Sequence, residues 1–230
     1  GSTISACFVE PIAGSTGVLV PPVGYLERLR EICDAHGILL IFDEVICGFG
    51  RTGKAFGAQS FGVTPDMMTM AKALTNGCQP MGAVAVRDKI YDTITNASPD
   101  AMIEFFHGYT YSGHPAACAA GLATLDIFEK ENLFDKVAAL SEPFLDAVFA
   151  LQDLDIVTDV RGYGLIAGID VKPSAIAGGR GVDLQKKLYH AGLHIKFTGD
   201  SGIISPPFVA TEQDIEEIYG IMRDVLSKEK

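Results

Sequence analysis

With 230 residues, 48% of them hydrophobic, and a formal net charge of −11, the chain has enough apolar content for the core of one large domain or two small ones. The negative charge argues against nucleic acid as the natural partner, since a phosphate backbone needs a basic face. No apolar run approaches the length that crosses a membrane, and no charged-then-apolar leader opens the sequence, so neither a membrane nor secretion is expected.

Residues 4–9 read as a short strand ending at Glu10-Pro11, and Gly14-Ser15-Thr16-Gly17 as a loop, either a plain turn or an anion-binding nest. Leu26, Leu29, Ile32 and Cys33 share one face of a helix that Gly37 can close, and residues 38–42 form the next strand. This order predicts a β-α-β unit with parallel strands. The 38–42 run is unbroken in its apolarity, as for a strand covered on both faces, and stops abruptly at Asp43-Glu44. A second apolar run, residues 67–71, stops at Lys72; the turn Thr75-Asn76-Gly77 and a further strand over 82–86 follow.

Residues 96–113 read as an extended loop, which in a compact enzyme tends to be functional. A helix over 114–129, rich in alanine and containing Gly121, permits close packing, and a second helix covers 133–151. From residue 156 the pattern changes to alternation, with Leu165, Ala167, Ile169 and Val171 set against Ile166, Gly168 and Asp170. A helix around 183–191 precedes the last one, which opens at Thr211 with Asp214 as a capping box and carries Ile215, Ile218, Met222, Val225 and Leu226 on one face. The expected architecture is α/β: a mostly parallel sheet flanked by helices over residues 1–151, then a small α+β domain over 152–230.

Two consecutive strands thus end in an acid, Asp43, and an amine, Lys72, at the sheet edge where open α/β folds hold ligands. Such groups need compensation at the end of a buried strand. Spacing alone leaves two readings open. One is a salt bridge between them; the other is a pyridoxal phosphate site, where a lysine forms a Schiff base with the cofactor aldehyde and a carboxylate keeps the pyridine nitrogen protonated.

Other signals point nowhere. Residues 48–54, GFGRTGK, imitate a Walker A loop, but Ala55 stands where a metal-binding Ser or Thr is required, and the segment starts several residues after the strand. His190 and His194 are four apart, yet Gly192 weakens the helix and no third ligand is evident, so no metal site is expected. Cys7, Cys33, Cys47, Cys78 and Cys118 form no C-x-x-C pair, as for free thiols in a reducing cytoplasm.

The wording of the chain adds to its spacing. IFDEV followed by GFGRTG, PDMMTMAKAL and PMGAV, then HGYTYSGHPAACAAGLATLD, VRGYGLIAGIDV and IISPPF, resembles the class III, or omega, aminotransferases among the fold type I pyridoxal phosphate enzymes. The motifs run through essentially the whole chain but match only the second half of such a protein. The resemblance implies pyridoxal 5'-phosphate as cofactor, Lys72 as its covalent partner and proton carrier, and Asp43 as the acid on the pyridine nitrogen. Val45 matches the aliphatic residue on the ring, although ordinary core packing explains it nearly as well. Proton transfer by Lys72 at neutral pH calls for a buried, cofactor-facing position. Thr110 resembles the threonine that reaches the phosphate of a cofactor bound to the neighbouring subunit, which implies a homodimer or higher with shared sites.

Relatives acting on ornithine or 4-aminobutyrate carry a glutamate where this chain has Ser15, a glutamine at Ile46 and an arginine at Ile203. Their absence resembles the branch that uses pyruvate as amino acceptor. Lys196 stands where that branch carries an arginine for the substrate carboxylate; lysine keeps the charge without the planar fork, and a plain surface charge explains it equally. The expected function is a cytoplasmic transaminase moving an amino group from an omega-amino acid or amine donor to a keto acid acceptor, pyruvate. Aminomutases and decarboxylases share the fold and the lysine. A non-catalytic binding or assembly fragment is the further alternative, because the family's Gly-rich phosphate cradle and ring-stacking aromatic precede residue 1. A chain of this kind standing alone would expose a sheet face.

Overall fold

The computed structural model describes residues 3–99, 102, 105, 107 and 109–229. Strand β1 (Ala6–Val9), helix α1 (Tyr25–His36) and strand β2 (Leu39–Asp43) form the expected β-α-β unit, and β1 pairs with β2 in parallel from Ala6 against Leu39 to Val9 against Phe42. Gly37, at φ 64°, ends α1 in the left-handed conformation that a Cβ disfavours. After the single-turn helix α2 (Gly57–Ser60), β3 (Met67–Met70) runs parallel to β2 and β4 (Ala83–Val86) antiparallel to β3, giving the order β1-β2-β3-β4. The connection from β3 to β4 carries only the 3₁₀ turn Lys72–Leu74 in place of a crossover helix, and β4 returns against its neighbour.

Helices α3 (Asp88–Asn96), α4 (Pro115–Lys130) and α5 (Leu133–Phe149) follow, the last running into a 3₁₀ turn, Ala150–Asp153. A second sheet, wholly antiparallel, is built from β5 (Val157–Tyr163), β6 (Ile166–Val171), β7 (Lys196–Thr198) and β8 (Ser201–Ile204) in the order β5-β6-β8-β7. Helix α6 (Gly179–His190) links β6 to β7, and α7 (Glu212–Leu226) closes the chain. The expected capping box is present: the Thr211 hydroxyl accepts the Asp214 N–H at 3.2 Å while the Asp214 carboxylate accepts the Thr211 N–H at 2.7 Å.

The largest core lies under this second sheet. Leu165, Ile169, Leu184 and Leu188 are fully buried there. Val137, Phe144 and Val148 of α5 belong to the same core, which therefore reaches back before residue 152. The two sheets meet through Ile12, Val18 and Cys47 packed with Ile166 of β6.

One expectation fails. Strand β2 is covered on one face only: Leu40 and Phe42 have no exposure and pack toward α1, whereas Leu39 is 37% exposed. The pleat and the register put Phe8, Leu39, Asp43, Thr69 and Val84 together on the other face. That face is open, with Phe8 58% and Val84 57% exposed. Its apolar side chains keep the sequence pattern of a doubly covered strand, although among the described residues α1 and the 58–63 segment cover just one side of it. The anticipated exposed sheet face is therefore present.

Candidate active site

Lys72 leaves the sheet by an unusual backbone. It is the first residue of a 3₁₀ turn, Lys72–Leu74, and has φ 48°, a left-handed value that few residues other than glycine adopt. The turn is held from behind. Leu74 is buried with Phe49, Phe128 and Leu133, the Thr75 N–H donates to the Lys72 carbonyl at 3.2 Å, and the Thr75 hydroxyl donates to the Gln79 carbonyl at 2.6 Å.

The Lys72 side chain lines a cavity of about 580 Å³ between the two sheets, together with Val45, Ile46, Arg51, Ile203 and Lys196. Ser15, His194 and Phe208 lie on the same wall system. Three cations and no carboxylate line this space among the described residues, in a chain whose net charge is −11. The cavity thus favours anions against the overall field of the molecule.

Asp43 ends β2 on the open face of the sheet. One carboxylate oxygen, Oδ1, accepts the Val45 N–H at 3.0 Å and the Thr69 hydroxyl at 3.3 Å. Its other oxygen has no hydrogen-bond partner among the described residues. Asp43 is not itself in the cavity lining; it sits one hydrogen bond behind Val45, which is. No ion pair joins Asp43 to Lys72 among the described residues, so the simple salt bridge is not formed.

Glu44, the neighbouring acid, points the opposite way. It is fully buried and accepts the N–H groups of Gly57 at 2.9 Å and Ala58 at 2.7 Å, at the first turn of α2. Burial pushes its carboxyl above the usual range, and those two hydrogen bonds oppose the shift. Alternation along an extended chain thus gives one acid an open face and the other a structural task.

Of the residues singled out by sequence, Lys72, Val45 and Lys196 are brought to one cavity, with Asp43 at its border. Ser15, Ile46 and Ile203 line it too. Lys72 is exposed, contrary to the expected burial, because the cavity is open to solvent on one side. Lys196 is likewise exposed, at the first position of β7. Thr110 lies elsewhere, exposed, in a separate cavity of about 960 Å³ with Gln79, Met81, Tyr111 and His114. Part of the expected functional loop before it, at 100–101, 103–104, 106 and 108, lies outside the described residues.

Arg51 was not singled out as a site residue, the resemblance implying only a structural turn beside the cofactor for residues 48–54. Its guanidinium donates to the carbonyls of Leu165 at 2.8 Å and Pro206 at 2.7 Å and stacks 4.5 Å from the Phe208 ring centroid. Burial lowers its pKa to about 10. The available signal was an arginine set in a glycine-rich run, GFGRTG, with no acid close to it in sequence.

Comparison with known proteins fits this geometry. A family model described as "Aminotransferase class-III" matches residues 1–226. An omega-aminotransferase of Caulobacter vibrioides is 52% identical over 228 residues, covering 99% of this chain and 52% of that protein. An omega-amino acid–pyruvate aminotransferase of Pseudomonas putida is 49% identical, covering 99% of this chain and 51% of that protein. The chain therefore spans about half the length of the curated relatives it matches. Among solved structures, a transaminase with L-alanine superimposes with a TM-score of 0.94 at 33% identity, over 97% of this chain and 54% of its own. An amine transaminase from an uncultivated Pseudomonas species, described as PLP-bound, gives 0.91 at 38% identity over 98% of this chain and 52% of its own. With the family model spanning nearly every residue and the fold matching solved transaminases, this chain belongs to the class III aminotransferases.

Proposed function

We propose that this chain forms the lysine-bearing half of a pyridoxal phosphate transaminase that moves an amino group from an omega-amino acid or amine to pyruvate. One observation carries the reading: among the described residues, the Lys72 amine has no ion pair and lines a cavity without carboxylates, beside an acid, Asp43, whose second oxygen has no partner. That arrangement fits the cofactor, which needs an amine for its aldehyde and an acceptor for its ring N–H. When bound, pyridoxal phosphate supplies an electrophilic carbon and an electron sink.

The chain's own residues do the rest. Lys72 would hold the cofactor through its aldehyde, and the Lys72 amine is the group on this chain that would move a proton during the reaction. Asp43 Oδ2 would accept the ring N–H, with the carboxylate fixed by its bonds to Val45 and Thr69. Val45 would supply the apolar surface for the ring. Lys196 attracts the substrate carboxylate as a point charge. Ser15, Ile46 and Ile203 leave that wall short and uncharged.

Thr110 serves a cofactor phosphate held by a second copy, so the working unit is at least a homodimer, and its separate cavity supports that reading. Residues 1–151 act as part of the cofactor-binding domain and 152–230 as the small domain, with α5 packed into the core of the latter. The cytoplasm is the proposed location. The test uses the protein expressed from its complete gene, incubated with cofactor, an omega-amino acid and pyruvate. Alanine formed without carbon dioxide supports transamination; carbon dioxide or a rearranged amine without alanine refutes it.

A further inference from the structure

We propose that Arg51 is a positioning residue for this reaction, which fixes the Lys196 wall of the cavity at its working distance from the Lys72 wall. The proposal rests on the transaminase reading above. Arg51 follows β2 in the loop that contributes Val45, Ile46 and Gly48 to the cavity. One guanidinium nitrogen donates to the Leu165 and Pro206 carbonyls, 114 and 155 residues further along the chain. Both acceptors adjoin cavity residues: Leu165 precedes Ile166, and Pro206 follows Ser205.

The backbone adds a third link, as the Arg51 carbonyl accepts the Leu165 N–H at 3.0 Å. Gly164, at φ 59°, makes the approach possible, because a Cβ there would stand 2.5 Å from the Arg51 carbonyl oxygen. The guanidinium face rests on Phe208, itself a cavity residue packed against Phe128 of α4. A single side chain thus joins three stretches of cavity wall.

Packing alone does not account for a cation here. No carboxylate forms an ion pair with Arg51 among the described residues, and burying an unpaired charge is unfavourable where an apolar side chain of similar volume would fill the space. Two carbonyl acceptors at the edge and an aromatic ring against the face suit a flat guanidinium, which can stack and donate at once, better than an ammonium. Lys72 and Asp43 have hydrogen bonds of their own, through Thr75 and Thr69, none of which involves Arg51. Removing Arg51 therefore loosens the substrate wall and leaves the reacting amine in place, which weakens binding more than turnover.

The experiment compares the complete holoenzyme with Arg51→Ala and Arg51→Lys. The expected result is a KM for donor and keto acid raised about tenfold in Arg51→Ala, with kcat within about threefold of wild type. Guanidinium chloride at about 20 mM restores KM, and sodium chloride at the same concentration does not. Arg51→Lys shows a smaller rise that guanidinium leaves unchanged, and it carries the test if the alanine variant fails to fold. Unchanged KM in a folded variant, equal recovery with sodium chloride, or a loss confined to kcat overturns the proposal. Borohydride reduction of the same samples separates the two levels. A label on Lys72 with unchanged KM refutes the role of Arg51 alone, whereas no label in wild type removes the reaction that Arg51 would serve.

Discussion

Asp43 and Glu44 show how adjacent residues of one type divide their tasks. Glu44 is buried against the first turn of α2 with both oxygens occupied, whereas one oxygen of Asp43, on the open face of the sheet, has no partner among the described residues. Substituting Asp43→Asn retains the shape and removes the charge, so turnover should fall at least about 100-fold while the thermal midpoint moves by only a few degrees. Steady-state rates and a melting curve on the same preparation check it; a variant with turnover near wild type would remove Asp43 from the site. Asp43 and Lys72 stood out in the sequence as candidates because each ends an apolar run abruptly. Arg51 did not, since its acceptors are backbone carbonyls of distant residues that leave no mark in side-chain pattern. The burial expected of Lys72 was misjudged for a related reason: the apolar run before it reports the strand, not what closes the cavity in front of it.

Between elements, Asp66 is the knot that aligns the strands beneath the site. Its Oδ2 accepts the Leu40 N–H of β2 at 2.8 Å and the Arg30 guanidinium of α1 at 2.8 Å, and Arg87, just past β4, stands at 3.5 Å from Oδ1. Burial alone would push the Asp66 carboxyl up, but the Leu40 N–H and the two guanidinium groups outweigh it and hold the pKa below the usual value. A depressed carboxyl contributes stability that is present above its unfolded pKa and lost as pH falls through its folded pKa. Asp66→Asn should therefore cost about 2–4 kcal/mol in unfolding free energy near pH 7, and the gap to wild type should shrink as pH drops below about 4. Denaturant titrations across that range decide it, and a gap that widens on acidification would contradict the assignment. The capping box at Thr211 and the β-α-β unit were readable because cap chemistry and period are local. The antiparallel direction of β4 was not, since an apolar run carries no sign of its direction.

For the whole molecule, a cation-lined cavity lies between the two sheets, open to solvent on one side, and the first sheet leaves one face bare. Phe8, Leu39, Val84 and Val86 on that face predict that the isolated 230-residue chain binds a hydrophobic dye and self-associates, and that the protein expressed from its complete gene does so far less. Equal dye binding by both would show that the face stays uncovered. The fold class was readable because several motifs recur in order along the chain, whereas the one-sided cover of β2 was not, because apolar residues record every surface they were selected to meet. The account rests on Lys72 as the amine that takes the cofactor aldehyde. Its most direct test is to incubate the protein from the complete gene with pyridoxal phosphate, reduce with borohydride and map the modified peptide. The account predicts a single dominant label on Lys72, abolished in Lys72→Ala; no label, or labels spread over surface lysines with Lys72 unmodified, would contradict it.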